Sequence, residues 1–492
     1  MDDLILGLDI GTSRIKGVLT TSDGRLLAKA AVDYPTAYPG PGWAEQDPAD
    51  WWRGVVQVTR TLTAQTRGVV AGIGVSGQGC AVTLIGARGQ VIRPAIIWMD
   101  SRSEIQSERL RRCCTDEILE QNGKLPAPYN ADPVLMWLMD NEPASIAAAE
   151  TSLTTTAYIN FCLTGQKVAN LSDASILLAF DLAERNWSRD LIDSFGIPER
   201  FYPPLAACDQ IIGVLSPAAA AELGLEAGIP VVAGGEDTSS AGLAAGAVST
   251  GQTYLSLGTA GTIYVPVGKA SVHRKLLTFL HVLSGQYLVG GSMVALGGSL
   301  NWCRKILDPQ ASFEDMFAMA SQSAPGAGRL IFLPYLSGEL QPINDGYARG
   351  ALFGLSLSTE KADIIRAVLE GAAFAIAHNL SVIESLNIPV KEIRAVGGPT
   401  RSALWCQIIA DVTGRPLNVL ADDGGAALGD ALLAAKGAGF IRDPAETARR
   451  TARIERSYTP DPRLVEQYRN LFGVYCELYP QVKEQYARLS SM

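Results

Sequence analysis

The segment LILGLDIGTSRIKGVLT, residues Leu4–Thr20, consists of two β-rich arms joined by a Gly-Thr-Ser turn, so we predict a β-hairpin at the start of the chain. Near the middle, the segment GQTYLSLGTAGTIYVPV, residues Gly251–Val267, repeats this order of strand, Gly-Thr turn and returning strand. The repetition predicts a duplicated chain with two similar lobes, residues 1–246 and residues 247–492, that meet close to Ala247. The alternative is one continuous sheet with a second, unrelated Gly-Thr turn.

The rest of the chain alternates between strand-like and helix-like segments. The apolar runs VVAGIGVSG, PAIIWMD and IPVVAGG are typical of buried strands, and ADWWRGVVQVTRTLTAQ has the apolar period of a helix. The second half continues with the strands RLIFLPYL, EIRAVGG and PLNVL, two long helices, and a terminal helix from about Pro462 to Met492. This alternation predicts an α/β architecture. Two such lobes would leave a cleft of the kind in which small ligands bind.

Length and charge limit the classes of function. The 492 residues are more than one hydrophobic core normally organises. The net charge of −9 provides no basic surface for nucleic acid or for an anionic membrane, so we expect neither as a partner. The start, MDDLILGLDIG, has acids where a signal peptide has lysines, and the eight cysteines are mostly scattered. We therefore expect a cytoplasmic protein.

The first turn, DIGTSRIK, combines a carboxylate with residue types that bind phosphate. Asp9 lies at the end of the predicted strand, and Gly11 permits a tight turn. Thr12 and Ser13 offer hydroxyls and amides to phosphate oxygens, and Lys16 adds positive charge. Because an acid beside a phosphate requires a cation between them, we predict that Asp9 holds a hydrated Mg²⁺. The alternative is an ordinary hairpin turn, since this motif is short and common.

Two further glycine-containing turns lie in the second half. The turn SLGTAGT contains Gly258 and Thr259 but no acid, and AVGGPT places Gly397 and Gly398 between a strand and a helix. Small residues at such junctions let phosphates or a purine approach the backbone. We predict that these turns bind nucleotide opposite the first turn. The alternative for Gly397 and Gly398 is a helix entry with ordinary turn glycines.

The segment GGEDTSSAG, residues 234–242, places Glu236 and Asp237 directly after the apolar run IPVVA. One interpretation is a pair of acids at the start of a helix, where negative charge stabilises the helix dipole. The other is a functional acid at the end of a buried strand. The segment alone does not separate the two.

The order of these turns resembles the FGGY family of carbohydrate kinases, from Leu4 to about Gly439. The stretch GALFGLSLSTEKADIIRAVLEG, residues Gly350–Gly371, fits one family signature, and PYNADPVLMWLMDNEP is similar to the other, with Val134 where that pattern usually has Lys. The resemblance implies the duplicated ATPase fold of actin, hexokinase and the heat-shock chaperones, which is ribonuclease H-like, with two lobes around a central cleft. It also implies ATP and Mg²⁺ as cofactors and a hinge that closes the cleft.

The resemblance also implies roles for individual side chains. Asp237 matches the family's catalytic Asp, which receives the proton of the sugar hydroxyl during phosphoryl transfer and lies beside the metal together with Asp9. Glu236 is expected to face away, toward magnesium or a basic side chain. Residues predicted to contact the sugar follow three strand-like or loop segments: Gln78, Gly79 and Cys80 in SGQGCA, Trp98 and Asp100 in RPAIIWMDSRS, and Tyr129 in PAPYN.

Three of these sugar contacts have a structural alternative. Gln78 could be a solvated amide at a strand end, Asp100 could form a salt bridge with Arg102, and Tyr129 could be a partly buried core residue. The motif SGQGCA lacks the His of the xylulokinase branch and the Arg and Glu of glycerol kinases. Hydroxyl recognition at this site therefore differs from both branches.

The overall pattern resembles xylulokinase-like members most. It predicts ATP-dependent phosphorylation of a terminal hydroxyl of a ketopentose, with D-xylulose as the lead substrate. Another ketose or a linear polyol, such as L-xylulose, ribulose, erythritol or glycerol, is the alternative. A third hypothesis is a non-catalytic, sugar-responsive ATP-binding protein or a chaperone-like ATPase. A repressor of this kind would need a DNA-binding segment and a chaperone would need a peptide-binding segment, and we expect neither. A homodimer is left open.

Overall fold

The computed structural model describes residues 2–421 and 424–490. Its strands are β1 (Asp3–Ile10), β2 (Arg14–Thr21), β3 (Leu26–Asp33), β4 (Glu45–Gln46), β5 (Val69–Gly77), β6 (Thr83–Gly86), β7 (Ala95–Ile96), β8 (Ala149–Leu153), β9 (Ala169–Asn170), β10 (Phe180–Asp181), β11 (Asn186–Trp187), β12 (Leu205–Ala206), β13 (Ile211–Val214), β14 (Pro230–Val232), β15 (Gly235–Glu236), β16 (Gln252–Leu257), β17 (Gly261–Val267), β18 (Leu277–Leu280), β19 (Tyr287–Met293), β20 (Ile331–Leu333), β21 (Ala351–Phe353), β22 (Glu392–Val396), β23 (Leu417–Leu420) and β24 (Ile454–Tyr458).

The α-helices of the described residues connect and cover these strands. They are α1 (Pro48–Gln65), α2 (Glu104–Cys113), α3 (Thr115–Asn122), α4 (Ala131–Asn141), α5 (Pro143–Ala148), α6 (Thr155–Thr164), α7 (Leu171–Ala174), α8 (Arg189–Phe195), α9 (Pro217–Leu223), α10 (Asp237–Ala244), α11 (Gly297–Leu307), α12 (Phe313–Ala320), α13 (Lys361–Ser385), α14 (Ala403–Thr413), α15 (Ala426–Gly437), α16 (Pro444–Thr451) and α17 (Pro462–Ser490).

Two separate seven-stranded sheets organise the molecule. The first has the order β13-β14-β5-β1-β2-β3, with β15 also paired to β5, and the second has the order β18-β19-β17-β16-β22-β23-β24. In both sheets an antiparallel hairpin, β1–β2 or β16–β17, pairs in parallel with a later strand, β5 or β22. This repeated topology confirms the predicted duplicated α/β fold, and the alternative of one continuous sheet is wrong. We call the parts around the two sheets the first lobe and the second lobe.

Strand β1 is covered on both of its faces. Leu4, Leu6 and Leu8 pack in one cluster with Trp51 of α1, whereas Ile5 packs in another cluster with residues of α15. Successive strand residues point to opposite faces, so an unbroken apolar run is what such a central strand requires. Helix α1 begins where the side chain of Asp47 accepts a hydrogen bond from the Ala49 amide.

Helix α15 lies directly on the backbone of the first sheet. A Cβ atom added at Gly7 would lie 1.9 Å from the carbonyl oxygen of Ala427, and one at Gly74 would lie 2.2 Å from that of Asp430. A Cβ atom at Gly429 would lie 2.0 Å from the carbonyl oxygen of Ser240 in α10. A helix from the second half of the sequence therefore packs in the first lobe. The division of the chain between residues 246 and 247 stays a prediction.

One predicted strand is much shorter than expected. In PAIIWMD only Ala95 and Ile96 pair with another strand. The chain then turns, because the Asp100 carboxylate accepts a hydrogen bond from the Ala44 amide (2.6 Å) and binds the Arg102 side chain. The turn leaves Trp98 and Met99 exposed.

Among the described helices, α13 alone has the length and apolar composition that crossing a membrane would require. In the window that meets this criterion, 83% of the residues are buried inside the protein. Its apolar side chains belong to the core of the second lobe. This helix therefore acts as a core helix.

The contact between α10 and α15 provides a test of the packing. We expect Gly429→Ala to destabilise the fold by at least about 1–3 kcal/mol, because the new methyl group meets backbone and neither helix can move without disturbing the first sheet. The midpoint of urea unfolding measures this change. The matched control is Gly473→Ala in α17, where an added Cβ meets no atom within 4 Å and a gain of up to about 1 kcal/mol is expected. Equal midpoints for the two variants would contradict the proposed crowding.

Candidate active site

Several predicted site residues lie at one edge of the first sheet. Strands β1, β5 and β15 run parallel, and Ser76 of β5 is in register with both Asp9 and Gly235. The carboxyl ends of these strands therefore meet, and the segments that follow them carry Gln78 and Asp237. In open α/β sheets ligands bind at such an edge.

Asp9 is a buried acid at this edge, with 3% of its surface exposed. Lys16 Nζ lies 3.5 Å from Oδ2, and the Ser76 hydroxyl donates to Oδ1 over 3.5 Å. Burial raises the pKa of Asp9 to about 6, the nearby Lys16 ammonium opposes this shift, and the charge of Asp237 adds to it. Asp9 and Asp237 are thus close enough to repel each other, and a cation between them would relieve that repulsion.

The donor set suits magnesium better than a transition metal. No group of three or more His, Cys, Asp or Glu side chains fits a metal ion in the part of the chain that the structure describes. Mg²⁺ commonly keeps several waters and takes one or two carboxylates together with substrate phosphates. Asp9 and Asp237 therefore fit that ion, with Lys16 beside them as a partner for phosphate.

Asp237 is the first residue of α10 and is half-buried. The Thr238 hydroxyl donates a hydrogen bond to its Oδ1 over 3.0 Å. Residue Thr238 thus holds one carboxylate oxygen. The position of Asp237 at the start of a helix keeps its carboxylate at the sheet edge.

Glu236 caps the same helix. Its Oε2 accepts a hydrogen bond from the Ser239 amide over 2.9 Å, and its surface is 7% exposed. Burial raises its pKa well above the usual range, and the adjacent Asp237 raises it further. The helix-start interpretation therefore explains one oxygen of Glu236, and its expected orientation toward magnesium or a basic side chain stays a prediction. A Glu directly before a helix was the sequence signal for this cap.

Gln78 is 1% exposed and has an incomplete set of hydrogen bonds. Its Nε2 donates to Gln46 Oε1 over 2.7 Å, but its Oε1 has no partner among the described residues. Buried acceptors are normally paired, so this oxygen is suited to a ligand hydroxyl. Gln46, which the sequence analysis missed, also donates to the Thr12 carbonyl and accepts from Trp51 Nε1. Gln46 therefore connects Gln78, which is predicted to bind the sugar, with Thr12, which is predicted to bind phosphate.

Gly79 and Cys80 form a narrow wall beside Gln78. A Cβ atom at Gly79 would lie 2.3 Å from Cδ1 of Ile176 and 3.8 Å from Cγ of Glu236. Cys80 has a φ of 58°, which is uncommon for a residue with a side chain. Burial raises the pKa of its thiol to about 12, so the thiol stays protonated. The wall formed by Gly79 and Cys80 is therefore close to Glu236, which precedes Asp237, and it carries no charge of its own.

Tyr129 belongs to this wall as well. Burial raises the pKa of its phenol to about 12, and the neighbouring Cys80 thiol contributes to the shift. Tyr264 of β17 lies near the same group, since its pKa is raised mainly by burial and further by Glu236 and Tyr129. A strand of the second lobe thus reaches the pocket of the first lobe.

Trp98 and Asp100 have different surroundings. Trp98 is 41% exposed, and its Nε1 donates to the Thr12 hydroxyl over 2.9 Å, which places it at the first turn. The Asp100 side chain has no exposed surface, and Arg102, which also lies 3.8 Å from the Trp43 ring centre, pairs with it. The prediction that Asp100 contacts the sugar is therefore corrected: both its oxygens are used to support the loop, as in the structural alternative.

The remaining residues of the first turn line its outer side. Gly11 donates its amide to the Arg14 carbonyl over 3.1 Å, which closes the turn. Thr12 is half-buried, while Ser13 and Lys16 are exposed at the same bend. These groups are accessible to a phosphate that approaches from the cleft.

The turns of the second lobe form a second group. The amides of Gly297 and Gly298 at the start of α11 donate to the carbonyls of Gly258 and Thr259, each over 3.0 Å. A Cβ atom at Gly297 would lie 2.4 Å from the Gly258 oxygen. The pair of glycines in VALGGSL, which the sequence did not single out, therefore packs the start of α11 against the Gly258–Thr259 turn, and both of its amides are occupied by that turn.

Gly397 completes this second group. It has a φ of 108°, and a Cβ atom on it would lie 1.9 Å from the carbonyl oxygen of Leu257, so a side chain is excluded. Gly398 begins a short 3₁₀ turn and is exposed. The predicted nucleotide turns are therefore packed together at the carboxyl ends of β16 and β22.

The two lobes share one topology, with acids at the sheet edge of the first lobe and glycine turns at the sheet edge of the second. This arrangement defines a nucleotide-dependent phosphotransferase. The models of the N-terminal and C-terminal domains of the FGGY family of carbohydrate kinases match residues 4–244 and 253–438. The chain belongs to this family. It is an ATP-dependent sugar kinase, with a sugar and ATP as its substrates.

Relatives and solved structures match over nearly the whole chain. The xylulose kinase of Escherichia coli (strain K12) is 31% identical over 97% of this chain and 99% of its own. The structure of xylulose kinase from Rhodospirillum rubrum has a TM-score of 0.92 and 33% identity over 98% of this chain and 100% of its own. That of gluconate kinase from Lactobacillus acidophilus has a TM-score of 0.95 and 26% identity, and covers 99% and 100%.

Replacement of Asp9 tests the electrostatics of the site in the absence of metal. The pKa of Asp9 rises from 3.8 to about 6 on folding, so the folded chain binds more protons and loses stability as the pH rises through this window. In metal-free buffer at pH 7 we expect Asp9→Asn to be more stable than the native chain by roughly 1–3 kcal/mol, and the difference should vanish below about pH 4. Urea unfolding at a series of pH values measures it.

The control for this experiment is Asp193→Asn, because Asp193 is exposed on α8. Its effect on stability should stay within about 0.5 kcal/mol at every pH. A native chain that is more stable than Asp9→Asn at pH 7 would show that Lys16 and Ser76 outweigh the burial of the carboxylate.

Proposed function

We propose that this kinase transfers the γ-phosphoryl group of ATP to the terminal hydroxyl of a ketopentose, with D-xylulose as the lead substrate. The observation that carries the proposal is the position of Asp237, half-buried at the first residue of α10 and near enough to Asp9 for their charges to interact. The names of the relatives support the choice of sugar, because xylulose kinases match along nearly the full chain.

In the proposed mechanism Asp237 accepts the proton of the attacking hydroxyl. An alcohol becomes acidic as its oxygen bonds to phosphorus, so the position of the carboxylate matters more than its basicity. The hydrogen bond from Thr238 holds Oδ1, which leaves Oδ2 for the substrate. Mg²⁺, held through Asp9 and Asp237, would neutralise the charge of the phosphates when bound.

Both lobes contribute to the proposed nucleotide site. Thr12, Ser13 and Lys16 provide hydroxyls and a positive charge on the side of the first lobe, with Gly11 at the bend. The second lobe offers exposed backbone at Thr259, Gly397 and Gly398, next to Gly258, whose amide donates to the Ala260 carbonyl. Bare backbone of this kind lets phosphate oxygens approach amide groups closely.

We assign the sugar to the pocket wall of Gln78, Gly79, Cys80 and Tyr129. The unpartnered Oε1 of Gln78 would accept a hydrogen bond from a sugar hydroxyl, and the Tyr129 phenol of the same wall would supply a donor. Trp98, whose Nε1 binds the Thr12 hydroxyl, closes the pocket toward the first turn. The xylulokinase branch has a His where this chain has Cys80. The contact that this position makes with a sugar hydroxyl therefore differs in this chain.

Charge distinguishes a neutral sugar from a sugar acid. The pocket wall lies close to an acidic group of residues: a Cβ atom at Gly79 would be 3.8 Å from Cγ of Glu236, and the charges of Asp237 and Asp173 raise the pKa of Glu236 further. The nearby ammonium of Lys124 is already bound to four protein acceptors. Lys124 therefore offers no free donor to a carboxylate such as that of gluconate, which favours a ketose or polyol.

The donor set of Asp9 and Asp237 supports Mg²⁺ as the cation. The cytoplasmic location and the homodimer remain predictions from the sequence. A non-catalytic ATP-binding protein would bind ATP without releasing ADP when sugar is added.

Asp237→Asn tests the proposed base. We expect it to bind ATP normally and to lose phosphoryl transfer by roughly 10²- to 10⁴-fold, because Asn cannot accept the hydroxyl proton. Coupled ADP-release kinetics and ATP titration calorimetry measure the two properties. Asp193→Asn, an exposed Asp of the same lobe, should retain full activity, and near-native turnover of Asp237→Asn would remove the assignment.

A panel of acceptors tests the proposed sugar. We expect kcat/KM to be highest for D-xylulose and lower for L-xylulose, ribulose, erythritol and glycerol, with gluconate the poorest because of its charge. ADP release with each compound at equal concentration measures the order. Efficient phosphorylation of gluconate would contradict the charge argument, and a preference for erythritol or glycerol would make the chain a polyol kinase.

A further inference from the structure

Strand β18 lies at the edge of the second sheet, and its free side is bound by side chains of the first lobe. In the sheet it pairs only with β19. On the other side the Thr278 carbonyl accepts from Lys124 Nζ (2.8 Å), and the Leu280 carbonyl accepts from the Ser172 hydroxyl (3.1 Å). The Leu280 amide donates to the Ser175 hydroxyl over 2.9 Å.

The same side of the strand continues to α10. The Val282 amide donates to the Ser239 hydroxyl over 2.8 Å. Residues 278, 280 and 282 alternate along the chain, so their backbone groups face one side, as they would toward a neighbouring strand. We call this set the β18 ladder: the side chains of Lys124, Ser172, Ser175 and Ser239 bound to residues 278–282. It satisfies an edge that would otherwise have open hydrogen-bonding groups.

Lys124 is the basic member of the ladder, with a pKa that burial lowers to about 7. It is 4% exposed, and its ammonium also donates to the Ser175 carbonyl (2.8 Å) and to the carbonyl and side-chain oxygens of Asn122 (both 3.1 Å). Asn122 in turn donates to the carbonyls of Leu177 and Phe180. One buried lysine thus joins α3, the segment after α7 and a strand of the second lobe.

The ladder ends at the predicted catalytic acid. Ser239 lies two residues after Asp237, and its amide donates to the Glu236 carboxylate that caps α10. At the other end, β18 belongs to the sheet in which β16 and β17 carry the turn with Gly258 and Thr259. The ladder is therefore a continuous connection between the acid of the first lobe and the nucleotide turn of the second.

We propose that Lys124 is a positioning residue which, through the β18 ladder, holds the start of α10 in register with the nucleotide turn of the second lobe. Phosphoryl transfer requires the acceptor oxygen in line with the γ-phosphate, and small misplacements reduce the rate strongly. The inference rests on the proposed role of Asp237. The residues proposed to contact the sugar, Gln78, Gly79, Cys80 and Tyr129, all belong to the first lobe, so a loosened ladder affects the alignment of the two substrates rather than the binding of either.

Lys124→Met is the decisive variant, because Met retains the length and apolar stem while removing the donors. We expect kcat to fall by roughly 10- to 100-fold, with the KM values for sugar and ATP changed by no more than about threefold, as loss of a transition-state alignment predicts. Hydrogen–deuterium exchange of the peptide over residues 277–283 should become faster. The matched control is Lys167→Met, since Lys167 pairs with Glu150 at the surface of the same lobe; its kcat and its exchange should match the native chain.

The double variant Ser172→Ala and Ser175→Ala removes two neutral members of the ladder and serves if Lys124→Met fails to fold. It should accelerate exchange over residues 277–283, and it should lower kcat by less than Lys124→Met does. Faster exchange with kcat within twofold of native would overturn the proposal, as would unchanged exchange in either variant. A rise in the sugar KM at constant kcat would instead make Lys124 part of the sugar pocket and also overturn it.

These outcomes are separate from those of the proposed substrate. If the native chain fails to turn over D-xylulose, the acceptor assignment is wrong, and the ladder variants are assayed with the sugar that the panel identifies. The exchange measurement needs no sugar at all.

Discussion

The direct contact of α15 with the first sheet and with α10 underlies the geometry of this enzyme. Gly7, Gly74 and Gly429 lie where any side chain would meet backbone at 2.2 Å or less. The helix can therefore lie on β1 and β5 while it touches α10, and the Ser240 hydroxyl donates to Asp430 over 2.7 Å at the crossing. This packing holds the start of α10 at the edge where β1 and β5 end. Residues that are far apart in the chain thereby form one site.

The acids at that edge carry an electrostatic cost that the function explains. Asp9 and Glu236 are buried, and the charge of Asp237 raises the pKa of both. The Ser239 amide and the Lys16 ammonium offset part of this repulsion. Acids concentrated in a cleft are typical of sites that bind a cation or transfer a proton. Stability alone would favour fewer of them, so the arrangement fits a kinase site better than a structural one.

The glycine turns show how far local patterns reach. The order of strand, Gly-Thr turn and strand predicted both hairpins, since alternation and turn residues act between neighbours in the chain. The strand predicted from PAIIWMD is longer than the observed strand, because the Asp100 carboxylate binds the distant Ala44 amide and the chain turns there. Apolar composition could not reveal that bond. The same contact explains why Asp100 supports a loop instead of binding a ligand.

The sequence by itself determined the duplicated α/β fold, the family and the turns that carry Asp9, Gly258 and Gly397, because these depend on short motifs whose residues are neighbours. Only the tertiary structure decided which polar side chains are free to meet a ligand. Gln78 has an unpartnered oxygen, and Lys124 is bound to Thr278 across 154 positions of the chain. Such pairings are selected by the packing of whole lobes, since a buried donor or acceptor must find its partner wherever the fold brings one within reach.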